Sequence, residues 1–218
     1  MHIPDGFVDL PVALATGAAA ATAVGYACSR LGKTLPPEKI PLLGVAGAFV
    51  FAGQMVNFPV AGGTSGHLLG AALITILLGP WAAMLVLTAV LTVQCFVFQD
   101  GGLSALGANV LNMAVIAPLV AHVVYRGLGK VGPILGSRPV ATAAAAWSTV
   151  VVASLACSLE LILSGTAAPV LVLPAMLGVH SLIGAGEAAL TLGALAVVTA
   201  ARPDLWPALR PVPVVVTE

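Results

Sequence analysis

Charge is what this sequence has least of. Asp, Glu, Lys and Arg make up 7% of its 218 residues, where a water-soluble domain carries about 25%. Water is therefore not the solvent for most of the surface. The eight acidic and eight basic residues cancel, which excludes the basic face a nucleic-acid partner needs. Three cysteines, Cys28, Cys95 and Cys157, lie in separate apolar segments with no CxxC spacing. That excludes a disulfide framework or zinc ribbon, and each reads as a small buried hydrophobe. No GxxxxGK[ST] stretch occurs, so the chain does not hydrolyse ATP by a P-loop. No HExxH or Ser-His arrangement supports an intramembrane hydrolase. No Lys or Arg precedes Arg30, which excludes the basic opening of a signal peptide.

Apolar residues fill the space: 60% of the chain is hydrophobic. A bilayer core needs roughly 20 mostly apolar residues per helix. Seven stretches approach that, near residues 10–28, 40–57, 67–78, 81–98, 105–124, 140–163 and 171–200. The expected fold is all-α, a polytopic membrane bundle of about seven helices, forming one domain over residues 1–218. The third stretch is short, and Gly79-Pro80 marks a turn into the fourth.

Threading seven spans places Arg30, Lys33, Lys39, Arg126, Lys130, Arg138, Arg202 and Arg210 on one side. Cytoplasmic loops carry the Lys/Arg excess. The expectation is a multi-pass protein of a prokaryotic cytoplasmic (inner) membrane, with its amino terminus outside and its carboxyl terminus inside. Loops 59–66 and 99–104 share the outer face with Asp5, Asp9 and Asp100.

Two histidines fall on that face. His2 opens the chain, and His67 follows the glycine-rich "NFPVAGGTSG". Met1 and His2 together offer a metal three nitrogens: the terminal amine, the His2 amide and imidazole Nδ1, closing adjacent five- and six-membered chelate rings. Because His2 is not small, Met1 is expected to survive processing. A fourth nitrogen from His67 completes an N4 set, and planar nitrogen ligation suits Ni(II) or Cu(II). The residues equally allow a solvated His2 and an interfacial, hydrogen-bonding His67.

"MHIPDGF" at Met1–Phe7, "NFPVAGGTSGHLLG" at Asn57–Gly70, "FQDGGLSALGANVLNMA" at Phe98–Ala114 and "GVHSLIGAGEA" at Gly178–Ala188 resemble the signature blocks of the CbiM/NikM family. Its members are the substrate-binding (S) components of energy-coupling factor transporters for cobalt and nickel. The resemblance implies that Met1, His2 and His67 hold Ni2+ or Co2+ as transported ligand, with no resident cofactor and no catalytic residue. It also implies a membrane T component, two ATP-binding-cassette ATPase subunits and a small accessory membrane subunit as partners in the lipid bilayer. Ala61 departs from the proline expected there in many relatives. The rival class is a secondary proton- or sodium-coupled metal carrier, for which midplane charges such as His180 and Glu187 would serve.

Asn57, Thr64, Ser65 and Asp100 either orient the ligands or cap loops. His180 and Glu187, seven apart on one helical face, suit an internal contact with Glu160 or the amino-terminal loop, or else ion passage. His122 sits at an interface beside Tyr125 and Arg126. The Ala/Gly run at 13–25 packs closely either within the bundle or against a partner.

Overall fold

A computed structural model describes residues 1–33, 35–60 and 64–202. Ala61 and Arg210 lie outside the described residues. Helices α1 (Leu10–Leu31), α2 (Ile40–Gln54), α3 (Ala71–Leu78), α4 (Pro80–Phe98), α5 (Leu106–Val110), α6 (Ala117–Leu128), α7 (Arg138–Leu163) and α8 (Pro169–Ala201) form the bundle. A π-helical turn, Leu111–Ile116, fuses α5 to α6. Among the described residues five stretches are long and apolar enough to cross a membrane: α1, α4, the fused Leu106–Leu128, α7 and α8.

Helix boundaries follow ordinary local chemistry. Asp9 caps α1, its Oδ1 accepting from the Val12 amide at 2.9 Å, and proline opens α1, α4, α7 and α8. The helices agree with the expected spans to within a few residues, with two differences. The third begins at Ala71 rather than His67, because Gly70 takes φ +74°, a left-handed backbone that cannot continue a helix. The segment before it pairs as a short antiparallel hairpin, β1 (Phe58–Val60) with β2 (Thr64–Gly66). Three-residue strands are too short to leave a periodic trace.

α3 is the centre of the bundle, with Ala71 to Ile76 all buried. Around it α7 packs on α6 and α8, and α1 packs on α4 and α5. One side of the Ala/Gly run packs internally: a Cβ on Gly107 of α5 would come within 2.5 Å of the Gly17 Cα, while Ala18, Ala19 and Ala21 face outward. Cys95 and Cys157 are buried as expected; Cys28 is exposed, because only one side of α1 meets the bundle and the rest faces outward.

Candidate metal centre

The first nine residues do not trail away from the bundle. Met1 and Ile3 are fully buried in its main core. Asn109, on α5, holds Ile3 from both sides: its Oδ1 accepts from the Ile3 amide at 2.8 Å, and its Nδ2 donates to the Ile3 carbonyl at 3.1 Å. The Gly102 amide donates to the same carbonyl at 2.8 Å. Asp5 accepts from the amide and hydroxyl of Ser104 at 2.7 and 2.6 Å. Two stretches of the sequence that resemblance singles out are thereby sewn together at one end of the bundle. The Thr166 hydroxyl, bonded to the Phe7 carbonyl at 2.9 Å, closes that end from the α7–α8 side.

The hairpin brings the other half. The Met1 amine donates to the Ser65 carbonyl and lies 3.2 Å from its Oγ, and the His2 amide donates to that Oγ at 3.2 Å. Two residues on, the His67 ring stacks against the His2 ring with centroids 4.6 Å apart and planes inclined by 26°. His67 Nδ1 lies 2.8 Å from the Leu68 carbonyl. A carbonyl only accepts, so Nδ1 carries the proton and Nε2 keeps its lone pair. That Nε2 is buried and makes no hydrogen bond. His2 Nε2 lies 3.1 Å from Gln94 Oε1. With that oxygen accepting, His2 Nδ1 also keeps a lone pair, 3.3 Å from Asp100 Oδ1. In that tautomer two imidazole nitrogens stand in ligand form beside a buried amine.

Protonation favours the same chemistry. Burial lowers the Met1 amine from about 8 to about 5, against the opposing pull of Cys157 and Asp100. Burial, then the charge of that amine, lowers His2 to about 3. The same two causes hold His67 well below its usual value. All three are neutral near pH 7, as metal ligands must be. Burial raises the Asp100 carboxyl, partly opposed by the amine and by Asn57.

The candidate residues are not all brought together. Met1, His2, His67, Ser65 and Asp100 meet. Asn57 reaches only Asp100, at 3.1 Å. Thr64 turns away to the Met176 sulfur at 2.9 Å. Glu187 and Glu160 do not pair. Glu160 accepts from Asn112 at 2.6 Å, whereas Glu187 binds the turn after His67, not the amino-terminal loop. His180 Nδ1 contacts its own helix at the Met176 carbonyl, 2.8 Å away. Partly buried His122 is set against Arg126, as an interfacial residue would be. Gln94, Asn109 and Gln54 were not singled out from sequence, although a polar residue inside an apolar run was their signal. Among the described residues no three His, Cys, Asp or Glu side chains gather as a metal group. The candidate set uses two imidazoles and two main-chain nitrogens instead.

The model of the CbiM family, the cobalt uptake substrate-specific transmembrane region, matches residues 2–205. The chain belongs to the CbiM family. It is 40% identical over 208 residues to an Archaeoglobus fulgidus protein provisionally named fused nickel transport protein NikMN, covering 94% of this chain and 68% of that one. It is 44% identical over 139 residues to the fused nickel transport protein NikMN of Rhodobacter capsulatus, covering 63% and 40%. The crystal structure of a transition metal transporter superposes with a TM-score of 0.86 at 30% identity, covering 97% of this chain and all of that one. A CbiM-family bundle of apolar helices is a multi-pass membrane protein.

Proposed function

We propose that this CbiM-family chain is the ion-capturing component of an ATP-driven importer for Ni2+ or Co2+. The ion is held by the Met1 amine, the His2 amide nitrogen, His2 Nδ1 and His67 Nε2. The observation that carries this reading is the pair of buried, unbonded imidazole nitrogens, His2 Nδ1 and His67 Nε2, on stacked rings beside the Met1 amine. A buried polar atom without a partner costs about 1–3 kcal/mol, and a cation relieves two such costs together. It also offsets the approach of the Asp100 carboxylate to the His2 lone pair. Binding requires the His2 amide to give up its proton, and the Ser65 hydroxyl already accepts that N–H.

Residues 1–218 act as one membrane domain, with the ion site on the extracytoplasmic side of the cytoplasmic membrane and the basic helix ends inside. Energy comes from two partner ATPase subunits through a membrane T component, with a small accessory membrane subunit completing the assembly. Single-cysteine labelling at position 103 from outside intact cells tests that orientation; protection there reverses it.

His67→Ala is expected to abolish Ni2+ and Co2+ binding while the bundle stays folded, because His67 lies in a turn rather than in a helix. Equilibrium dialysis of the purified protein measures this. Micromolar or tighter binding by the variant removes His67 from the ligand set.

A further inference from the structure

We propose that Glu187 is a positioning residue for the ion: its carboxylate fixes the turn that presents His67. The inference rests on His67 being a ligand, as argued above.

The turn 67–70 is irregular backbone inside an apolar bundle. Such backbone persists only where each N–H and C=O finds a partner. Gly70 takes φ +74°, and the Val50 side chain occupies the space a Cβ would need. The two peptide N–H groups that follow Leu68 therefore have no helical acceptor. Glu187 supplies both: Oε2 accepts from the Leu69 amide at 2.9 Å, and Oε1 from the Gly70 amide at 2.6 Å. Gln54 of α2 donates to the Leu69 carbonyl at 2.8 Å. The Leu68 carbonyl takes the His67 Nδ1 proton. Each link between α8 and the His67 ring is thus a hydrogen bond or a single peptide, and the last one sets which nitrogen faces the ion.

The contact is wider than one residue. Met176, Ile183 and Glu187 share a face of α8, at steps of seven and four residues. Met176 receives the Thr64 hydroxyl, and a Cβ at Gly66 would lie 2.9 Å from Ile183 Cδ1. Segment 64–70 therefore lies along α8, with the carboxylate at its inner end. Only a carboxylate meets two peptide N–H groups with acceptors alone; a glutamine there would turn its own N–H2 toward one of them. That is a specific reason for a 2% exposed glutamate in an apolar helix.

The test uses the full chain with Glu187→Gln, which keeps the side-chain volume, and Glu187→Ala. Ni2+ affinity is read by calorimetry, and the number of coordinating nitrogens by electron paramagnetic resonance of the Cu2+-loaded protein. Thermal unfolding of the metal-free protein identifies the folded variants. The expected result is at least a tenfold loss of Ni2+ affinity in Glu187→Gln, in the range for removing a group that orients a ligand. The nitrogen count should fall from about four to about three, matching Cu2+-loaded His67→Ala, in which the amine, the His2 amide and His2 Nδ1 still chelate Cu2+ although Ni2+ and Co2+ binding is lost. A folded variant with wild-type affinity, or one that binds weakly with the nitrogen count unchanged, overturns the proposal. If His67→Ala itself keeps the wild-type count, the ligand assignment fails instead, and the two failures are distinguishable.

Discussion

Residues 1–5 and the end of the hairpin segment, residues 67–70, are irregular chain held by different means. Neutral groups hold the buried part of the amino-terminal half: the Asn109 amide grips Ile3 on both sides, and the Gly102 amide adds a third bond. The outermost bonds, Asp5 to Ser104, are exposed to solvent. A buried carboxylate and a buried amide, Glu187 and Gln54, hold the hairpin half from two other helices. The halves meet through the Ser65 contacts with Met1 and His2 and the stacked imidazoles. The difference teaches that each half is anchored independently. A bound ion would therefore be the strongest link between them.

The most severe way to break one half alone is to lengthen it. Met1 is fully buried with its amine on the Ser65 carbonyl, so residues added before Met1 convert the amine to an amide and have no room. Cellular Ni2+ or Co2+ accumulation with the partner subunits is expected to be lost, while expression and insertion stay normal. A tag after Glu218 should leave accumulation unchanged. Equal transport by the amino-terminally extended protein would show that the amine is not a ligand.

Asn109→Ala tests the same half more gently. It strips the Ile3 amide and one partner of its carbonyl, at about 1–3 kcal/mol for a buried unsatisfied group. Ni2+ affinity should fall about tenfold by calorimetry. Unchanged affinity would mean that the Gly102 bond suffices.

Protonation gives an effect of clear sign. Undocked, the Met1 amine titrates near 8; docked, near 5. Between those values the undocked segment binds more protons, so docking weakens as pH falls from 8 toward 5 and is fully established above 8. His2, lowered from 6.5 to about 3, acts with the same sign in a more acidic window. Near pH 7 the docked amine is already neutral. Ion binding should then release about one proton, from the His2 amide, rather than two. Calorimetry in buffers of different ionisation enthalpy counts them. Release of two would place the amine in its charged form.

Much of this was legible in the residues. Apolar length marks the helices, and "MHIPDG" and "GTSGH" hold the two histidines that the fold brings together. The anchors were not legible. Gln94, Asn109 and Glu187 bond to partners 92, 106 and 118 residues away, and a side chain gripping distant backbone leaves no periodic pattern. Glu187 stands out in the sequence as a charge inside a span, but nothing in its spacing names Leu69 and Gly70. The late start of the third helix was hidden for the same reason: Val50 of another helix fills the space that a Cβ at Gly70 would need, and no local rule includes it.

The helices that bound the bundle differ greatly in length, and the membrane must answer to that. At about 1.5 Å per residue, α8 with 33 residues is about 50 Å long, and α2 with 15 residues only about 22 Å. A hydrocarbon core is about 30 Å thick. Both helices turn most of their surface outward: α2 buries only Val50 and Gln54, and little of α8 is covered. Lipid beside α2 must therefore thin, whereas α8 must tilt or project. The protein meets its bilayer with two different thicknesses, so the surrounding lipid carries an elastic gradient from one flank to the other. The flank under most tension is the α8 side or the α2 side according to the thickness of the host membrane.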